Sequence, residues 1–264
     1  MLCLSQTAYI DRLLVEFGMS KASTVGSTQI HNKKMLPLEK DKTKVNDPEL
    51  PYRQSIGKLQ YLVSCPRPDI ANTVRCLGRH DGSYTKENLS LLRYLVGTRT
   101  YGLVYRRSSA DDGKLQLYGY SDADYANCPD TSRSISGQLN QWNFGFKSKK
   151  QNTVTDGTCK SEFVAASTCV ENLLWATELL EEIGMASALK VCTTVGNYEG
   201  VKRYAKLSHK IAELVEAKGL ALEYGPTSEN IADMFSKVLG PQRFSMLQEL
   251  LGGEAKCFRG GSKP

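Results

Sequence analysis

Three acidic side chains stand where they could do chemistry together: Asp122, Glu162 and Asp233. Asp122 ends an alternating segment in which Leu115, Leu117 and Gly119 take one side and Gln116, Tyr118 and Tyr120 the other. That pattern predicts a strand delivering Asp122 and Asp124 to its carboxyl end, then a loop through Asn127, Pro129 and Asp130. Carboxylates placed this way suit a hard divalent cation, which takes oxygen ligands. They suit a strand-ending turn equally, because Asp and Asn side chains bond local backbone there. Glu162 falls in the first turn of a long helix predicted over Cys159 to Ile183, on a face with Ala165, Ala166 and Cys169. An acid on so apolar a face needs a partner or a metal; the other reading is a first-turn acid favoured by the helix dipole. Asp233 lies in the apolar start of a helix predicted over Asn230 to Val238, with the same dipole-favoured alternative.

The elements that must position these acids follow from periodicity. Tyr101 to Tyr105, Leu115 to Ser121, Ser134 to Lys147 and Gln151 to Thr155 read as strands with Gly-containing turns, forming an antiparallel block. The long helix carries Phe163, Ala166, Val170, Leu173, Leu174, Thr177 and Leu180 on its apolar face, and Gly184 ends it. A strand over Leu189 to Val195, helices over Glu199 to Lys206 and His209 to Ala217, and a strand over Leu220 to Tyr224 follow. The second half therefore runs βββ-α-β-α-β-α, an α/β sheet of mixed direction. Upstream, residues 1–100 predict a small, mostly helical region. Its first helix spans Ser5 to Gly18, capped by Ser5, and residues 19–51 form a linker or strap. An α/β domain is expected over 101–240, and a C-terminal helix with a disordered tail over 241–264.

Composition bounds the classes open to this chain. It has 264 residues, 34 basic against 28 acidic, for a net charge of +6. This excess is compatible with a polyanionic partner without demanding one. No apolar run approaches the roughly 20 residues of a membrane span. The start lacks a basic region and a long apolar core, so neither a signal peptide nor secretion is expected, and an intracellular place, cytoplasmic or nuclear, is. Eight cysteines without a C-x-x-C pair and only three histidines argue against zinc. Most of the cysteines read as small buried hydrophobes in a reducing compartment.

Several collinear segments then carry a resemblance. LSQTAYIDRLLVEFGM, PYRQSIGKLQYLVSCPRPDIA, YGYSDADYANCPDTSRSISG, FKSKKQNTV, SEFVAAS and LEYGPTSENIADMFSK together resemble the C-terminal part of Ty1/copia-type retrotransposon Pol polyproteins. The likeness spans about residues 2 to 251, covering a reverse-transcriptase tail and connection followed by a ribonuclease H domain. It implies a mixed five-stranded ribonuclease H-like sheet with flanking helices. It also implies hydrolysis of RNA in RNA–DNA hybrids by two divalent ions, Mg²⁺ or Mn²⁺, held by four acids. Carried over by position, Asp122, Glu162 and Asp233 are three of those metal ligands and catalytic acids; Asp124 is not. The polymerase motif Y-x-D-D does not occur here and would lie upstream, which makes upstream reverse-transcriptase segments an expected partner.

The pattern departs at its third acid. Where the family has Asp followed by Asn, this chain has Gly196-Asn197, and glycine offers no side-chain ligand. Glu199 is the nearest substitute. Lys160 also stands where the family has an acid. A weakened or inactive copy is therefore expected, the alternative being a remnant that only binds nucleic acid or associates with a reverse transcriptase. Arg133, Lys147, Lys149 and Lys150 are the expected contacts to hybrid phosphates, through salt-dependent and sequence-independent binding. A solvated charged turn is the other reading of the same residues.

Overall fold

Alternation and helical periodicity organise two units in the computed structural model. It describes residues 2–29, 51–80, 90–105, 115–140, 145–185, 187–193, 205–217, 220–251 and 253–254. One unit comprises Met1–Arg107 with Val238–Pro264, the other Ser108–Lys237.

The first unit begins with strand β1 (Leu2–Ser5) and helix α1 (Thr7–Glu16), which buries Ile10, Leu13 and Leu14. Gly18, at φ +63°, turns the chain after it. Ser5 does not cap α1 as its type predicted. It pairs with Gly102 in a strand ladder, and Gln6 at the cap position makes no side-chain capping bond. Helices α2 (Tyr52–Ser64), α3 (Ala71–Leu77) and α4 (Leu91–Gly97) follow, then strand β2 (Gly102–Tyr105).

The second unit contains β3 (Leu115–Asp124), β4 (Ile135–Asn140), β5 (Gly145–Lys150), α5 (Thr158–Glu182), β6 (Ser187–Thr193), α6 (Ala205–Glu216), β7 (Leu220–Tyr224) and the short α7 (Asp233–Ser236). Its sheet order is β5-β4-β3-β6-β7. The first three strands are antiparallel, and β6 and β7 add in parallel to β3. Parallel additions need crossovers, which α5 and α6 supply. Leu117, Phe163, Cys169, Val170, Leu173, Leu180, Ile211 and Leu220 form one buried core between the sheet and these helices. Gly119 makes their close approach possible: a Cβ there would stand 2.7 Å from both Cys169 and Leu173. Gly184, at φ +77°, lies just beyond the end of α5, as expected.

The chain then returns to the first unit with α8 (Pro241–Leu250) and β8 (Gly253–Glu254). Three expectations are corrected here. Residues 102–105 do not join the antiparallel block; β2 pairs with β1 and β8 in a separate three-stranded sheet. The first unit, mostly helical, therefore also carries this small sheet, and α8 belongs to it. Gln151 to Thr155 is not a strand, because Gln151 ends the ladder by donating its backbone N–H to the Ser134 carbonyl at 2.9 Å. The segments 30–50 and 255–264, expected as strap and tail, lie outside the described residues.

Inside the first unit, the R-P-D-I motif is structural. The Arg67 guanidinium, 1% exposed, donates to both Asp69 carboxylate oxygens at 2.9 and 2.8 Å. It also donates to the carbonyl and the hydroxyl of Thr98. Tyr94 Oη donates to Asp69 at 2.6 Å, and Gln248 of α8 reaches Asp69 and Tyr94 at 3.2 and 2.6 Å. Burial works against the Arg67 charge, but its attraction to Asp69 outweighs that and holds the guanidinium firmly protonated.

Candidate active site

Strand pairing decides which acids meet. Directly opposed residues of antiparallel neighbours point to one face. Asp122 pairs with Gly137, so both lie on the face where a Cβ at Gly137 would meet α7. Ser121 pairs with Gln138, whose Nε2 donates to the Ala165 carbonyl of α5 at 3.0 Å on the opposite face. The sheet therefore presents Asp122 to α7, with α5 behind it.

Asn230 fixes α7 in place. Its Nδ2 donates to the Ser121 carbonyl at 2.9 Å, and its Oδ1 accepts from the Ala232 N–H at 3.0 Å. This brings Asp233, Ser236 and Lys237 against Asp122. The Lys237 Nζ donates to Asp122 Oδ1 at 2.8 Å and to Asp233 Oδ1 at 2.7 Å. The Ser236 hydroxyl donates to Asp122 Oδ2. Both carboxylates are almost fully buried, with 1% and 2% side-chain exposure, whereas Lys237 keeps 30%. Burial pushes the Asp122 carboxyl up to about 6, and the neighbouring charge of Asp233 pushes the same way; Lys237 and Ser236 pull it back. For Lys237, burial opposes the charge and attraction to Asp122 and Asp233 overcomes it, so its pKa is raised.

Glu162 occupies the first turn of α5, half-buried, with its Oε2 shielded from solvent. Gln151 Nε2 ties that turn to the sheet, donating to the Ser161 carbonyl at 2.8 Å and to Ser136 Oγ at 2.9 Å. Because Ser136 pairs with Ala123, Glu162 stands at the sheet end that carries Asp122, approached from the α5 face. Asp124 stays local, accepting from Asn127. Gly196, Asn197 and Glu199 lie outside the described residues. Among the described residues, no group of three or more His, Cys, Asp or Glu side chains is arranged to hold a metal ion. The described side chains therefore do not fit a two-metal centre: two carboxylates converge, and a lysine ammonium bridges them.

Lys237 and Ser236 were missed from sequence. The signal for one was available, since Lys237 follows Asp233 by four residues, a helical ion-pair spacing. The serines of R-S-x-S-G turn out to be ties. Ser134 Oγ accepts from the Ala126 N–H and bonds Thr155 Oγ1 at 3.1 Å, while Ser136 takes Gln151.

The expected basic patch is split by the pleat. Lys147 and Lys149 pair with Gln138 and Ser136 and share the α5 face, where Lys147 donates to Asn172 at 3.0 Å. Lys150 pairs with Ile135, on the Asp122 face. Arg133, half-buried, precedes β4 in the loop and accepts the Cys128 N–H on its carbonyl. The Phe146 ring packs against that of Phe235, their centroids 5.8 Å apart. Cys65, Cys76, Cys128, Cys159 and Cys169 are free thiols, and Cys3 is disulfide-bonded. No described helix is long and apolar enough to cross a membrane.

A mixed five-stranded sheet of this order, with its crossover helices and carboxylates at one strand end, is the ribonuclease H-like fold. No protein-family model matches the chain. It is 31% identical over 273 residues to the retrovirus-related Pol polyprotein from transposon TNT 1-94 of Nicotiana tabacum, covering 95% of this chain and 20% of that protein. Other transposon Pol polyproteins match over nearly the same span. The secreted RxLR effector protein 161 of Plasmopara viticola is 36% identical over 135 residues, 48% of this chain and 92% of its own length. A solved foamy viral protease-reverse transcriptase in complex with dsDNA aligns over 84% of this chain and 42% of its own, at a TM-score of 0.39 and 12% identity. The chain belongs to the Ty1/copia-type retrotransposon Pol polyproteins and carries a ribonuclease H-like retroelement domain. It spans about a fifth of the length of the Pol relatives it matches.

Proposed function

We propose that this chain is the ribonuclease H part of a retroelement Pol protein that engages RNA–DNA hybrids but is impaired in their two-metal hydrolysis. The observation that carries the reading is the state of the acids. Asp122 and Asp233 converge on a lysine, and the position that should supply the third ligand is Gly196. Hydrolysis of this class needs Mg²⁺ or Mn²⁺ placed at both the attacking and the leaving oxygen. Loss of a direct ligand should cost at least roughly tenfold in metal affinity or activity. The bridging lysine also favours the second reading, a module that binds nucleic acid or a reverse transcriptase without cleaving. Arg133, Lys147, Lys149 and Lys150 would supply phosphate contacts, with Lys150 on the Asp122 face and Lys147 and Lys149 on the other.

The test is cleavage of an end-labelled RNA–DNA hybrid in Mg²⁺ or Mn²⁺, with binding followed in parallel. Wild type should bind in a salt-dependent way and cleave at or near background, and Gly196→Asp should raise cleavage. Robust wild-type cleavage abolished by Asp122→Asn would overturn the impairment. Binding that is indifferent to salt and to Lys149→Ala/Lys150→Ala would sink the proposed interface.

A further inference from the structure

We infer that Lys237 is a resident cation of this site, occupying the carboxylate pair that a divalent ion would use and competing with that ion for it. The inference rests on the ribonuclease H-like reading of Asp122 and Asp233 and adds residues that reading does not contain. Two buried carboxylates are costly to ionise side by side unless a cation joins them. Here the chain provides one, with Nζ at 2.8 Å from Asp122 Oδ1 and 2.7 Å from Asp233 Oδ1. Each acid thus turns an oxygen toward a single point between them, and that point is filled by an ammonium.

The remaining Asp122 oxygen is committed to Ser236, which makes Ser236 a positioning residue for the carboxylate plane. Asn230 and the clearance at Gly137 hold the backbone of α7 where Lys237 must reach inward. Charge count decides the consequence. The pair carries two negative charges and the ammonium one positive, so a divalent ion arriving beside Lys237 meets a net single charge instead of two. Of the three groups the ammonium is the exchangeable one, because it retains 30% exposure against 1–2% for the acids. A lysine side chain is flexible and hydrates readily once released.

The experiment is a Mn²⁺ titration of the full chain without nucleic acid, read by calorimetry and by the thermal unfolding midpoint. Wild type and Lys237→Arg should show little binding and no rise in midpoint at millimolar Mn²⁺. Lys237→Gln should melt lower without metal, bind Mn²⁺ at least about tenfold more tightly than wild type, and regain stability as the ion is added. Adding Asp233→Asn to Lys237→Gln should abolish that gain. Equal Mn²⁺ binding by wild type and Lys237→Gln would overturn the inference. So would a Lys237→Gln chain that stays unfolded in Mn²⁺, because the ion should restore what the ammonium supplied. Hybrid cleavage by wild type would count against impaired hydrolysis but leaves this titration to stand or fall separately.

Discussion

Asp122 and Gly137 face each other across the β3–β4 ladder, and the glycine is what lets α7 reach the aspartate. A Cβ at Gly137 would stand 2.4 Å from the Ala232 carbonyl oxygen and 3.0 Å from the Ser236 nitrogen. Both contacts are with backbone, which cannot swing aside as a side chain would. The last glycine of the R-S-x-S-G run therefore acts at the level of packing, and its effect is to seat Ser236 and Lys237 on Asp122.

Gly137→Ala should accordingly push α7 off the sheet and destabilise the second unit by about 1–3 kcal/mol, the usual range for overpacking. Urea unfolding measures this directly. A variant as stable as wild type would mean that α7 shifts freely, and that the tie to Asp122 is looser than the distances imply.

A pH dependence follows from the same aspartate. Its carboxyl sits at about 6 in the folded chain, against an ordinary value of 3.8. The folded state thus binds this proton more tightly than the unfolded state does. Asp122 contributes its full stabilisation below about pH 4 and loses it as pH rises toward 6, by at most about 3 kcal/mol. Lys237 runs differently: its raised pKa contributes stability throughout this window and loses it only in strong alkali. Chemical denaturation of wild type and Asp122→Asn across the acid range should show a smaller loss of stability between pH 4 and 6 in the variant. Parallel profiles would sink the assignment.

Arg67 offers a test in the first unit that is independent of the acids. Removing the guanidinium strands the buried Asp69, so Arg67→Ala should cost about 3–5 kcal/mol. Arg67→Met combined with Asp69→Leu removes both charges at once and should recover a large part of that loss. If single and double variants unfold at the same urea concentration, the ion pair is not what holds R-P-D-I in place.

How much of this could be read in advance depended on the range of the interactions. The long α5 was legible because its apolar spacing repeats over 25 residues and a left-handed glycine follows it. β2 was legible as a strand but not as a partner of β1, since alternation states which face is apolar and is silent about which edge it joins. Ser5 misled because a capping residue type serves equally well in a ladder. Asp122, Glu162 and Asp233 were found by residue type, position and family resemblance. Their grouping was expected as well, but not its form: Asp122 and Asp233 meet through Lys237, and Glu162 comes to the same sheet end on the other face.

The sequence alone determined the alternating run that ends in Asp122, the long helix that begins at Glu162's turn and the acid in the short helix of Asp233, because each is written in local spacing and residue identity. Tertiary structure decided that Lys237 closes on Asp122, 115 positions earlier in the chain, that Gly137 makes the room, and that the pleat sends Lys147 and Lys149 to one face and Lys150 to the other. Those relationships depend on which surfaces pack together, and no local pattern encodes a distance between segments so far apart.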